Sequence, residues 1–281
     1  PFQANVKMAV EPRVTTTASV DQGPIIARLA KGAVISPDGN AYAFSAFGRL
    51  YQMAIADQTP HKLTDRMTFG EFQPSWSQDG AWLAYVTWSA KDGGAIWKVP
   101  ADDRKRAEKL TTDGAYYRNP VWSPNGQTIL AVRAPKNIRQ ENARGPMAKA
   151  EQIIKIPSIG GEPATILQAG GAVRLYFTED TERFYAYSYR LGLSSWKLDG
   201  SDQKTHLRVM GAATPTTSPA MASDIVLSPD GKQALAAVAN QLYIIDMSAE
   251  GAKHPMVNVY APGDAHTKVT TLGADHFSWG N

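Results

Sequence analysis

Five histidines, no cysteines and a scatter of carboxylates set what chemistry this sequence could support. His61, His206, His254, His266 and His276 are never separated by a single residue, so no His-x-His metal pair exists. No H-E-x-x-H pair follows the spacing that puts two imidazoles on one helical face. The absence of cysteine removes thiol nucleophiles, thiolate metal sites and disulfides together. There is no G-x-S-x-G elbow to present a serine to a histidine, and no glycine-rich loop to cradle phosphate. Asp199-Gly200-Ser201-Asp202 and Asp102-Asp103 hold oxygen ligands close together, as a calcium loop does. Their Asp, Gly and Ser content equally suits a hairpin turn, and that is the expectation for both.

The elements around these residues repeat. Ser36-Pro37-Asp38-Gly39, Ser77-Gln78-Asp79-Gly80, Ser123-Pro124-Asn125-Gly126 and Ser228-Pro229-Asp230-Gly231 share one turn signature, with a weaker copy at Thr178-Glu179-Asp180-Thr181 and a truncated start at Ser278. Successive copies are 41, 46, 55, 50 and 50 residues apart. Pro presets the first turn dihedral and Asp-Gly completes the tight turn. A short strand precedes each turn, as in Asn119-Pro120-Val121-Trp122 or His276-Phe277. An apolar strand follows, as in Trp82-Leu83-Ala84-Tyr85-Val86 or Thr128-Ile129-Leu130-Ala131-Val132. A third strand comes next, such as Ile96-Trp97-Lys98-Val99, and an edge strand ending in Leu or Thr closes three of the units.

Four strands in each unit of 40–55 residues is the pattern of a propeller blade, because a lone meander can bury neither face until neighbours stack on it. The expected fold is all-β, a six-bladed β-propeller of four-stranded antiparallel blades, the last incomplete. Residues 1–22 form an extended segment that closes the ring or links to a neighbouring domain. The propeller occupies 23–281, with blades at 27–68, 69–113, 116–169, 170–212 and 221–272 and a partial one at 274–281. Trp76, Trp122, Tyr51, Trp97, Trp196 and Tyr243 fall at matching places and are expected to pack between blades. Residues 134–151 read as a polar, basic insertion in the third blade: a solvated loop, or else a lid or partner contact.

Composition narrows the partners. With 43% hydrophobic and 20% charged residues the chain is globular, and no run reaches the ~20 apolar residues of a spanning helix. Twenty-nine basic and 26 acidic residues leave a charge of +3, too small and too dispersed for nucleic-acid binding. The chain begins at Pro1 with no charged-then-apolar signal stretch, so its start is read as processed or as the start of a piece of something longer.

In a propeller, the residues just before each first strand converge at the mouth of the axial channel. Here these are Glu71, Arg118, Asn119, Arg174, Asp224, Asp275 and His276, which would take a ligand or partner, or simply bond to one another around a water-filled channel. His276 beside Asp275 could be an oriented imidazole.

From about Pro24 to Gly280 the sequence resembles the propeller region of bacterial TolB-like amidohydrolases. The likeness rests on Ser36-Pro37-Asp38-Gly39 through Gly48-Arg49-Leu50-Tyr51, Lys62-Leu63-Thr64, Trp82 to Trp88, Asn119 to Pro124, Thr205-His206-Leu207 and Gln241-Leu242-Tyr243. The fourth unit departs from it, lacking Pro and Gly at its turn. In that family a propeller precedes a metal-dependent barrel. The resemblance therefore implies a non-catalytic propeller that packs on and gates a barrel not present in this chain, in an enzyme acting on amide or cyclic C–N bonds. No cofactor is expected in this chain, and a zinc-type metal belongs to the absent amidohydrolase domain. The implied partner is that catalytic domain, with a possible protein partner at the channel mouth; the implied location is periplasmic or secreted. Two other readings stand beside it: a stand-alone periplasmic protein-binding scaffold of TolB type, and a small propeller lactonase with channel calcium on Glu71, Asn119 and Asp224.

Overall fold

A computed structural model describes residues 27, 30–65, 69–102, 106–136, 150–211, 219–247, 256–261, 266–274 and 277–279. The expected segment at 1–22, most of the 134–151 insertion, Asp103, Asp275 and His276 lie outside the described residues. Among the described residues, twenty-one strands are arranged in five sheets. Blade 1 holds β1 (Lys31–Ile35), β2 (Ala41–Ala46), β3 (Arg49–Ala54) and β4 (Pro60–Lys62). Blade 2 holds β5 (Gly70–Trp76), β6 (Trp82–Ser89), β7 (Gly93–Pro100) and β8 (Glu108–Lys109). Blade 3 holds β9 (Tyr116–Trp122), β10 (Thr128–Ala134), β11 (Gln152–Pro157) and β12 (Ala164–Gln168). Blade 4 holds β13 (Arg174–Tyr176), β14 (Arg183–Ser188), β15 (Gly192–Lys197) and β16 (Lys204–Met210). Blade 5 holds β17 (Asp224–Leu227), β18 (Gln233–Val238), β19 (Gln241–Asp246) and β21 (His266–Lys268). A fourth strand thus closes all five units, not three. Between β19 and β21, the short β20 (Met256–Asn258) leaves its own blade and pairs in parallel with β16, making blade 4 five-stranded.

The recurring turn works as its residues suggest. In Ser36-Pro37-Asp38-Gly39 the Gly39 N–H donates to Ser36 O at 2.9 Å, with Gly39 at φ 74°. The Ser36 hydroxyl donates to the Asp38 carboxylate and accepts from the Ala41 N–H at 2.9 Å. Ser77, Ser123 and Ser228 repeat the arrangement with Asp79, Asn125 and Asp230. The serine hydrogen bond, followed by backbone N–H groups, holds Asp38, Asp79 and Asp230 below the usual carboxylate range. Each turn therefore fixes a first strand against a second one with local bonds alone. Asp199-Gly200-Ser201-Asp202 is the hairpin turn between β15 and β16, as expected.

Apolar contacts lie between neighbouring blades. Leu50 and Leu63 pack on Leu83, Tyr85 and Trp97 across blades 1 and 2. Ile96 and Leu110 meet Trp122, Ile129 and Ile154 across blades 2 and 3. Leu130 and Ile153 meet Phe184 and Trp196 across blades 3 and 4, where the Phe184 and Trp196 rings stack at 5.6 Å. Tyr187 and Leu193 meet Ile225, Tyr243 and Ile245 across blades 4 and 5. Two seams are also pinned by an indole: Trp76 donates to Val34 O at 3.3 Å and Trp122 to Ser75 O at 3.1 Å. Tyr51 stacks on Phe44 of its own blade at 5.8 Å, as Trp196 does on Phe184, but lies outside the buried cluster of its seam.

The expected count of six blades is corrected to five. Counting turn signatures included Ser278, but a blade exists only where strands pair, and the described part of that unit, 277–279, forms no strand. It lies instead along blade 5, with the Trp279 indole donating to Val226 O at 3.0 Å. The proline-rich opening that suits Trp76 and Trp122 to a bulged strand is also missing before Trp279.

Candidate functional site

β1, β5, β9, β13 and β17 are the first strands of the five sheets, and the described residues expected at a channel mouth, Glu71, Arg118, Asn119, Arg174 and Asp224, lie on β5, β9, β13 and β17. Three of these strands, β1, β5 and β9, break register with their neighbours. Gln73 and Asn119 take left-handed backbone at φ 53° and 52°, each at a break in strand register. A bulge turns one residue out of the ladder and leaves its polar groups free to bond sideways. Gln73 Oε1 accepts the Asn119 N–H at 2.9 Å, and Asn119 Nδ2 donates to Val173 O at 2.5 Å. A polar belt thereby runs across the first strands of blades 2, 3 and 4.

Glu71 sits behind this belt, 2% exposed. Its carboxylate accepts the Leu50 N–H at 3.2 Å and the Thr64 hydroxyl, so it ties blade 2 to blade 1. Arg118 is engaged in the same way. Its Nε and Nη2 donate to the two oxygens of Glu151 at 3.0 and 2.6 Å, a bidentate pair with Glu151 4% exposed. Glu151 was not singled out by sequence; the signal available was a carboxylate placed directly before the buried strand β11.

Arg174 and Asp224 are brought together across the seam between blades 4 and 5. Arg174 Nη2 lies 3.0 Å from Asp224 Oδ2, and Nη1 donates to Phe277 O at 3.0 Å with the guanidinium 5.2 Å over the Phe277 ring. Burial pushes the Asp224 carboxyl up, against the opposing pull of Arg174 and the Ile225 N–H. Asp224 Oδ1 is buried and makes no hydrogen bond of normal geometry. A cleft of about 290 Å³ opens here, lined by Val173, Arg174, Ser223, Asp224, Asn240 and Phe277 among others. Asn240 reaches it from the β18–β19 turn, where Ala239 and Asn240 both have positive φ.

The three donors expected for a channel calcium do not converge. Glu71 is turned to Leu50 and Thr64, and the Asn119 amide to Val173. Among the described residues no group of three or more His, Asp or Glu could hold a metal ion. A zinc-type centre therefore does not fit the described residues, and no chemical step is assigned to one.

Away from the mouth, blade 4 holds a serine–histidine contact. Ser195 Oγ and His206 Nε2 are 2.7 Å apart, while Arg183 Nε donates to the same oxygen at 2.9 Å and Nη1 pairs with Asp202 at 2.7 Å. Ser195 is fully buried, and a guanidinium on its oxygen opposes alkoxide attack on anything, so this is not a nucleophile. His206 is held below its ordinary value of 6.5, first by burial and then by Arg183 and Lys204. An imidazole harder to protonate in the folded chain makes the unfolded chain bind protons first as the pH drops past that value. Stability is therefore expected to decline progressively below about pH 6.5, with no penalty above it. Denaturant titrations at several pH values should show this slope in the parent and a shallower one in His206→Gln.

No protein-family model matches the sequence, and no curated protein sequence matches it. Solved structures do share the fold. A TolB-like protein from Agrobacterium tumefaciens superposes with a TM-score of 0.57 at 19% identity, over 78% of this chain and 77% of that one. TolB from Acinetobacter baumannii gives 0.54 at 14% identity, over 80% and 53%. Oligogalacturonate lyase from Vibrio parahaemolyticus gives 0.57 at 12% identity, over 84% and 64%. The chain thus spans less than two thirds of the last two proteins. Identities this low establish a shared propeller fold.

Proposed function

We propose that this chain is the non-catalytic propeller portion of a larger hydrolase resembling TolB-like amidohydrolases, packing on a metal-dependent barrel and limiting access to it. The observation that carries the supporting role is the engagement of the mouth charges. Glu71 binds Leu50 and Thr64, and Arg118 binds Glu151, so these side chains stiffen a rim rather than face a reacting bond. The hydrolase itself rests on the sequence resemblance. On this reading the barrel supplies the zinc-type metal and cleaves amide or cyclic C–N bonds, and the whole is exported to the periplasm.

The structural likeness to TolB favours a second reading, a stand-alone scaffold that binds a protein partner at the channel mouth. The reading frame past Asn281 separates the two. The first expects a His-x-His strand downstream, zinc-dependent amide hydrolysis by the longer polypeptide and none by residues 1–281. A frame that stops at Asn281 would refute it and leave the scaffold.

A further inference from the structure

Among the described residues, buried apolar clusters fill the seams between blades 1 and 2, 2 and 3, 3 and 4, and 4 and 5, and none joins blade 5 to blade 1. Blade 1 therefore has an outward face. Cross-strand pairing sets Ile35, Tyr42 and Met53 side by side on it, with Phe44 beside Tyr51. Val34, Ala43 and Leu50 point the other way, onto blade 2. On the outward face Tyr42 is 37% exposed and Ile55, which continues the alternation of Tyr51 and Met53, is 39% exposed; Ile35, Phe44, Tyr51 and Met53 are half-buried. Blade 5 differs, since Val226, Leu235 and Leu242, which take no part in its seam with blade 4, are each at most 8% exposed. An apolar sheet face is stable only against a cover with a matching apolar side.

The sequence directly before blade 1 carries that pattern. Phe2, Ala4, Val6, Met8 and Val10 alternate with Gln3, Asn5 and Lys7, the period of a strand with one apolar side. Glu11-Pro12-Arg13 interrupts the run with a turn residue at its centre. A three-residue loop there sets Val10 opposite Val14, Val6 opposite Ala18 and Ala4 opposite Val20, all on one side. Lys7 opposite Thr17 and Asn5 opposite Ser19 fall on the other side, and Thr16 opposite Met8 is the one polar residue on the apolar side. We infer that residues 2–20 form a two-stranded hairpin whose apolar side docks on the outward face of blade 1. A hairpin alone is marginal in water, and burying the two apolar surfaces against each other stabilises both. Residues 21–30 join it to β1, an extended reach of up to roughly 33 Å, ample for the ~10 Å between packed sheets. The docking does not rest on the hydrolase reading, since both surfaces belong to residues 1–281.

The chain has no cysteine, so single introduced thiols report on this without background. Val6→Cys and Met8→Cys in the full chain are expected to react with a thiol reagent at least ~10-fold more slowly than Asn5→Cys and Lys7→Cys, each rate being taken relative to the same variant in denaturant. Adding Tyr42→Asp, which puts a charge into the docking face, should speed Val6→Cys and Met8→Cys by about 10-fold. Ile159→Asp, at an 87% exposed position in blade 3, should leave them unchanged. Should Tyr42→Asp fail to fold, Ile55→Asp at the edge of the same face decides. Equal rates at the four positions, no response to the blade 1 substitution, or protection that fades on dilution, as cover by a second copy would give, would overturn the inference.

Discussion

Trp122→Ala is expected to lower the unfolding free energy by about 3–5 kcal/mol, measured by denaturant titration with an unchanged slope. Trp122 is 6% exposed and fills the seam between blades 2 and 3 among Ile96, Leu110, Ile129 and Ile154. Removing the indole leaves a void that two stiff sheets cannot close, since each is held by its own ladder. The same change strands Ser75 O, the acceptor of the indole N–H. Trp122→Phe keeps most of the volume and loses that bond, so a smaller deficit of about 1–2 kcal/mol is expected. If both variants cost the same, the hydrogen bond rather than the packing dominates the seam.

Arg118→Ala should be as damaging for an electrostatic reason. Glu151 would remain 4% exposed with its bidentate partner gone, and breaking a buried pair from one side costs about 3–5 kcal/mol. The double variant Arg118→Ala/Glu151→Gln should recover a good part of the loss, because no charge is then left behind. No rescue by the second substitution would show that Arg118 acts through packing alone.

How much of this was readable beforehand follows from the range of the interactions. The Ser36, Ser77, Ser123 and Ser228 turns are stabilised by bonds within five residues, so their sequence specifies them fully. Trp76 and Trp122 were legible as seam residues because a bulky aromatic recurs at one register of a repeat. The blade count was not, because the Ser278 signature marks a turn without the strand pairing that makes a sheet. Likewise the left-handed Gln73 and Asn119 are ordinary polar residues in sequence; only the neighbouring strands reveal that they bond sideways. Of the mouth residues, Arg174 and Asp224 do meet, whereas Arg118 turned to a carboxylate 33 positions away that no local pattern links to it. The fourth strand of blade 4, Lys204–Met210, ends in Val-Met rather than Leu-Thr and so escaped the repeat.

The parallel pairing of β20 with β16 has a consequence for biosynthesis. Arg208, Val209 and Met210 wait for Met256, Val257 and Asn258, which leave the ribosome about 50 residues later. At roughly 5–20 residues per second, that is an interval of seconds in which a nascent chain carries an uncovered hydrogen-bonding margin, open to a second nascent chain. Once β20 arrives, that margin is sealed by the chain's own later segment, and the last two repeats are fastened together like a clasp.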